Sequence, residues 1–137
     1  MKKQIHVVGA VLVSDGKVLC VQRGPDGSLP GMWEFPGGKI EPGETPQAAL
    51  RREIYEELRC DIAVGDEVTT TSHKYDFGVI HLTTFFCDLV SGTPHLIEHA
   101  DMVWSQPSDL RRLDWAPADI PAIDLIEQRL GPPPSTA

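Results

Sequence analysis

Residues 38–60 read GKIEPGETPQAALRREIYEELRC and carry Glu41, Glu44, Glu53, Glu56 and Glu57 through a turn and into a helical stretch. Thr45 is a good N-cap, and Pro46 at the first helical position loses nothing by lacking an N–H. No residue from there to Leu58 breaks a helix. At about 100° per residue, Glu53, Glu56 and Glu57 share one face, while Leu50, Ile54 and Leu58 form an adjacent apolar stripe. Like charges gathered in this way repel and destabilise a helix by a few tenths of a kcal/mol per pair. A hard divalent cation is the natural compensation. Mg²⁺ takes oxygen ligands and shares them between a few carboxylates and substrate phosphates. The plain alternative is a solvated acidic helix face.

The register of Gly38, Glu44, Arg52, Glu53, Ile54, Glu56 and Glu57 resembles that of the Nudix hydrolases, whose signature is G-x5-E-x7-R-E-U-x-E-E-x-G-U, with U a bulky apolar residue. Two positions depart from it: Arg59 stands where the signature has glycine, and Cys60 where it has the last apolar residue. Neither removes a metal ligand. A cation at a helix C-terminus is favourable, and a buried cysteine packs as a small hydrophobe. The resemblance implies an α+β domain, an α/β/α sandwich with a curved mixed sheet and a catalytic loop-helix-loop. It also implies Mg²⁺, with Mn²⁺ as a substitute, held by the backbone carbonyl of Gly38 or Gly37 with Glu53, Glu56 and Glu57. Glu53 is then either a ligand or the base that activates water, and Arg52 holds a neighbouring glutamate, Glu44 first among them. Glu98, outside the signature, falls where relatives carry a further metal-binding glutamate. Its alternative is a surface loop residue.

These side chains need a scaffold. Residues 5–13 and 17–22 are apolar, β-branched runs around Ser14-Asp15-Gly16, a hairpin signal. Residues 24–31 are rich in glycine and proline and read as a loop that could line a pocket, followed by a short strand over residues 32–35. Arg23 and Lys39 flank that region and are the cations placed to reach phosphates; the bland reading leaves both in solvent. Residues 62–71, 79–90 and 102–104 are strand-like, with a turn at Ser91-Gly92-Thr93-Pro94. Pro107 opens a short helix, and Ile120–Leu130 has apolar residues at helical spacing. The expectation is one domain over residues 1–131, ended by Gly131 and three prolines, with a disordered tail over residues 132–137.

Composition narrows the partners. Twelve basic residues against twenty acidic ones give a formal net charge of −8, the wrong sign for neutralising a nucleic-acid backbone. A free nucleotide carried as its magnesium complex remains compatible. No run approaches the roughly 20 apolar residues that span a bilayer, and three scattered cysteines point to a reducing cytoplasm rather than a disulfide framework. An exposed sheet edge would allow a homodimer as well as a monomer.

Over nearly its full length, and most closely in MWEFPGGKIEPGETP and WAPADIP, the chain resembles the MutT-type branch, which cleaves nucleoside triphosphates to monophosphate and diphosphate. Where the 8-oxo-dGTP branch carries a base-reading asparagine, this chain has Asp119. A carboxylate accepts hydrogen bonds and suits an amino group such as cytosine N4. The ADIP, VIHLTTF and Glu98-His99…Val103-Trp104 segments resemble the CTP pyrophosphohydrolases, which implies CTP, dCTP or 5-methyl-dCTP as substrate. Asp119 is equally an N-cap candidate for the last helix. Phe35 and Phe77 are candidates to stack on the base, or core residues. The rivals are an 8-oxo-dGTP diphosphatase, a dinucleotide hydrolase that Tyr75 would favour, and a silent nucleotide-binding module for which Arg59 is the motive.

Overall fold

The computed structural model describes residues 3–130. Strand β1 (Gln4–Ser14) turns through Asp15 and Gly16 into β2 (Lys17–Gln22). Both turn residues have positive φ, 51° and 75°, the backbone of a tight hairpin whose twist matches its strands. After the loop come β3 (Trp33–Glu34), β4 (Gly37–Lys39) and helix α1 (Pro46–Leu58). A long hairpin of β5 (Asp61–Tyr75) and β6 (Gly78–Ser91) follows, then β7 (Asp101–Ser105), two short 3₁₀ helices (Pro107–Arg112 and Pro117–Asp119) and α2 (Ile120–Leu130).

The sheet runs β3-β2-β1-β6-β5, with β4 also on β1 and β7 also on β2. β1 and β6 are parallel from Gln4↔Val79 to Val13↔Asp88, and the other pairs are antiparallel. β1 and β2 pair only beside their turn, at Val13↔Val18 and Ser14↔Lys17. Beyond that point residues 33–39 take over both edges: β3 pairs with β2 at Val21 and Gln22, β4 with β1 from Val7 to Gly9, and Ala10 N–H donates to Pro36 O at 2.8 Å between them. The expected strand over residues 32–35 is therefore shorter, and a three-residue strand containing Gly37 and Gly38 follows it. Glycine disfavours strands unless another backbone must come close. Here it must, because a Cβ on Gly37 would strike the Val8 carbonyl.

Alternation along β1 builds the layers, since successive side chains point to opposite faces. Val8, Ala10 and Leu12 face α1 and pack with Leu50, Ile54, Leu58 and Phe85. Val11 faces the other way, with Val18, Trp33, Leu110, Ile123 and Ile126 on the α2 side. Each such buried aliphatic side chain contributes roughly 1.5–3 kcal/mol. The result is the expected sandwich: helix, mixed sheet, helix. The tail after Leu130 lies outside the described residues. Among those described, no helix is long and apolar enough to cross a membrane.

Thr45 caps α1, its hydroxyl accepting from Ala48 N–H at 3.1 Å. At the other end Arg59 takes the left-handed conformation that glycine would adopt, φ 57° and ψ 38°, and its N–H donates to Tyr55 O at 3.0 Å. Its guanidinium lies 5.6 Å from the centroid of the Tyr55 ring. The helix end is therefore intact despite the departure from the signature, at a backbone cost that glycine avoids. Arg59→Gly should raise stability by about 1 kcal/mol, or about 3 °C in Tm, measured by thermal and urea unfolding.

Candidate active site

The site is built where β4 passes between β1 and α1. A cavity of about 380 Å³ opens there. Its lining combines polar and charged groups, Arg23, Glu34, Lys39, Glu57 and Asp119 with the Gly37–Gly38 backbone, and aromatic or apolar side chains, Phe35, Tyr75, Phe77, Ile80 and Leu82.

The three helix glutamates have separate surroundings, and of them Glu57 lines the cavity. Glu57 is buried, at 9% exposure, and its Oε2 has no hydrogen-bond partner. Burial pushes its carboxyl up to about 9, the charges of Glu53, Glu34 and Glu98 add to this, and a hydrogen bond from Gly37 N–H opposes it. Glu53 lies against Gly38, where its carboxylate occupies the place a Cβ would need. A backbone without a side chain is thus a condition for this carboxylate's position. Glu56 is exposed and reaches Arg52 at 3.3 Å. Among the described residues no group of three or more His, Cys, Asp or Glu side chains is gathered closely enough to hold a metal ion. The donor chemistry nevertheless fits a hard cation. A buried carboxylate oxygen without a partner, pressed by three further acids, is what such an ion would satisfy.

Arg52 supplies much of the compensation expected of a cation. Its Nε and Nη2 donate to the two oxygens of Glu44 at 2.7 and 2.9 Å, its Nη1 donates to Glu53 Oε1 at 2.8 Å, and Nη2 also donates to Lys39 O at 3.1 Å. Glu44 in turn accepts from Glu41 N–H at 2.9 Å. The Arg52 side-chain hydrogen bond, with that backbone bond, lowers the Glu44 carboxyl to about 2. Arg52 thus ties the loop before α1 to the helix and turns Glu53 toward the glycines.

The remaining expected residues divide. Lys39 is exposed and lines the cavity. Arg23 lines it too, but its guanidinium is engaged: Nη1 meets Glu34 Oε1 at 2.8 Å, Nε donates to Ser28 O at 2.8 Å and Nη2 to Ser28 Oγ at 3.1 Å. Phe77 is 45% exposed and stacks on Tyr75, centroids 5.1 Å apart and planes 6° from parallel. Phe35 is a core residue at 4% exposure, its ring tilted against Trp115 at 4.6 Å, so it offers the cavity a wall rather than a free face. Glu98 is exposed, yet near enough for its charge to act on Glu57.

Asp119 corrects two expectations. It does not begin α2 as an isolated N-cap, because the 3₁₀ turn Pro117–Asp119 runs directly into the helix; instead its Oδ1 accepts from Phe35 N–H at 3.0 Å. Nor is it a simple acceptor, since burial, with the Glu34 charge adding, raises its carboxyl to about 8. Burial thus favours the neutral acid, which can donate a hydrogen bond as well as accept one.

Sequence reasoning missed Glu34, Ser28 and His99. Glu34 meets Arg23 on one side and His99 Nε2, at 3.4 Å, on the other. Its signal was present but indistinct: an acid between Trp33 and Phe35, in a strand whose alternation sends it to the opposite face from those two aromatics.

Comparison with known proteins identifies the family. The family profile described as the NUDIX domain matches residues 7–125. A CTP pyrophosphohydrolase from Escherichia coli is 38% identical over 122 residues, covering 89% of this chain and 90% of the relative. An 8-oxo-dGTP diphosphatase from the same organism is 32% identical over 130 residues, covering 93% and 99%. The solution structure of the MutT protein, family Nudix hydrolase, from Staphylococcus aureus superposes with a TM-score of 0.78 at 54% identity, covering 94% of this chain and 99% of that one.

Two pH effects follow. Glu44 is held below its ordinary 4.5, so its contribution to stability is present above that value and is lost as pH falls toward about 2; Arg52→Gln should flatten this acid limb, seen in urea midpoints measured below pH about 5. Asp119 is raised above its ordinary 3.8, so its contribution is greatest below that value and declines as pH rises to about 8. Asp119→Asn, which keeps an acceptor for Phe35 N–H, should remove that decline and exceed the parent by about 1 kcal/mol or more at pH about 8 in the same measurement.

Proposed function

The chain belongs to the NUDIX domain family, and on that premise we propose that it is a magnesium-dependent nucleoside triphosphate pyrophosphohydrolase of MutT type, acting on free CTP, dCTP or 5-methyl-dCTP to give the monophosphate and diphosphate. The observation that carries this reading is the partnerless, buried oxygen of Glu57 in a cavity that aromatic side chains also line. A triphosphate needs the acidic groups and a base the aromatic ones.

Glu53, Glu56, Glu57 and Glu98, with the Gly38 carbonyl, are the groups that would hold the cation. When bound, Mg²⁺ neutralises phosphate charge and lowers the pKa of water, and Mn²⁺ supplies the same chemistry. Around it this chain's own residues orient the substrate and move the proton. Glu53, steadied by Arg52, takes the proton of the attacking water or completes the cation's shell. Lys39 is the exposed cation for the phosphate arm, while Arg23 reaches a phosphate only by sharing the guanidinium that Glu34 and Ser28 engage. Phe77, braced by Tyr75, stacks on the base, and Phe35 closes the pocket behind it. Asp119 then presents its remaining oxygen to the base edge. Ionised, it accepts from cytosine N4. Protonated, it donates to a carbonyl, and that state favours a second reading, an oxidised purine such as 8-oxo-dGTP.

The net charge of −8 supports free nucleotides over polymeric nucleic acid, and three buried free cysteines suit the cytoplasm, where such an enzyme would remove non-standard nucleotides before they reach DNA. It would act there as a monomer or homodimer, without a membrane. A silent binding module loses its motive once Arg59 caps the helix in glycine's conformation.

Turnover of CTP, 5-methyl-dCTP and 8-oxo-dGTP should be compared side by side with Mg²⁺, with release of diphosphate as the readout. We expect a cytosine nucleotide to give the highest kcat/KM, and a preference of tenfold or more for the oxidised purine would reverse the assignment. Glu53→Gln should lower kcat by about two orders of magnitude or more. A parent enzyme without metal-dependent turnover would point to the silent module.

A further inference from the structure

The segment between β6 and β7 carries Glu98, and almost everything in it faces solvent. His95, Leu96, Ile97, Glu98 and Ala100 are all exposed. Pro94 is buried, and His99 has its side chain at 8% exposure and its Nε2 3.4 Å from Glu34 Oε2. Two backbone hydrogen bonds pin the rest: His95 N–H to Leu58 O, at the end of α1, and Ala100 N–H to Gln22 O, at the end of β2, each at 2.9 Å. These fix the two ends of the segment. Between them His99 supplies a side-chain tie.

That tie is not explained by stability. Nε2 donating to Glu34 leaves Nδ1 buried with no hydrogen-bond partner, and a buried polar atom without a partner is destabilising whichever tautomer is present. An apolar side chain would fill the same space without that cost. What His99 provides is direction: Glu34 sits on β3, inside the seam that leads to Gly37 and Gly38, and its charge, like that of Glu98, acts on Glu57. Holding His99 to Glu34 therefore also restrains the adjoining Glu98, whose charge acts on Glu57.

We propose that His99 is a positioning residue that, through its hydrogen bond to Glu34, fixes the loop over residues 94–100 so that Glu98 faces Glu57 and joins the cation's ligand set. The inference rests on the metal-dependent reading above. It assigns His99 no contact with substrate and no proton transfer.

Side-chain length tests it. Glutamine places an amide N–H near the position of histidine Nε2, whereas asparagine reaches only as far as Nδ1. Mn²⁺ binding to the nucleotide-free protein, followed by the EPR signal of free Mn²⁺, should weaken about tenfold or more in His99→Asn and stay within about threefold of the parent in His99→Gln, the range in which partners of metal ligands act. Half-saturating Mg²⁺ in turnover should rise in parallel for His99→Asn, with kcat at saturating metal within about twofold. In a Glu98→Gln background the asparagine substitution should cause no further loss of Mn²⁺ affinity, because both changes remove the same ligand. Equal Mn²⁺ affinity in His99→Asn and parent would overturn the proposal, as would a full additional loss in the Glu98→Gln background, which marks a general structural effect. A parent that neither binds Mn²⁺ nor hydrolyses any nucleotide removes the metal-dependent reading itself, whereas a parent active with Mn²⁺ beside an unaffected His99→Asn removes only the role of His99.

Discussion

The close approach of two backbones governs this molecule. β4 lies against β1 so tightly that Gly37 has no room for a side chain, and one residue later Gly38 has none because the Glu53 carboxylate fills that place. Glycine is weak in a strand on entropic grounds, so the sheet must compensate. It does so through the β1–β2 divergence, which gives residues 33–39 hydrogen-bonding partners on both sides. The same seam delivers Gly37 N–H to Glu57, Glu34 to Arg23 and His99, and Phe35 N–H to Asp119. Site and scaffold are therefore one object.

Electrostatics divides the acids into two sets. Glu44, Glu53 and Glu56 share Arg52, whose guanidinium offsets part of their charge. Glu57 and Asp119 are instead buried carboxyls raised toward neutrality, with the Glu34 charge contributing to both shifts. Perturbed groups of this kind facing a cavity are a mark of function rather than of stability. The division also explains how so acidic a surface folds: the guanidiniums of Arg52 and Arg23 sit where the carboxylates are densest.

Much of this was legible beforehand because it depends on local pattern. The helix with Thr45 as cap, the Asp15-Gly16 hairpin, the strand-like runs over residues 62–71 and 79–90 and the Ile120–Leu130 helix all follow from spacing and turn chemistry. The family signature located the glutamates and Gly38. Three things were not legible, each for a physical reason. β4 is a strand made by tertiary contact from residues with poor strand propensity. The partners of Glu34 lie just past β2, across the intervening loop, and in the segment before β7, so no local pattern could disclose them. Asp119 reads as a helix cap from its neighbours, and only the fold shows it reaching back to Phe35, which also buries it and changes its protonation.

The parallel pairing of β1 with β6 has a kinetic side. Gln4 and Val79 cannot meet until nearly the whole of the intervening chain exists, and closing so long a loop costs entropy before the ladder returns any of it. Strand β1 must wait, with one edge bare, for a hairpin made much later, and the seam that holds the glycines cannot be laid down until that strand is anchored. Such non-local closure makes for slow folding. Catalytic competence is therefore among the last properties the nascent chain acquires.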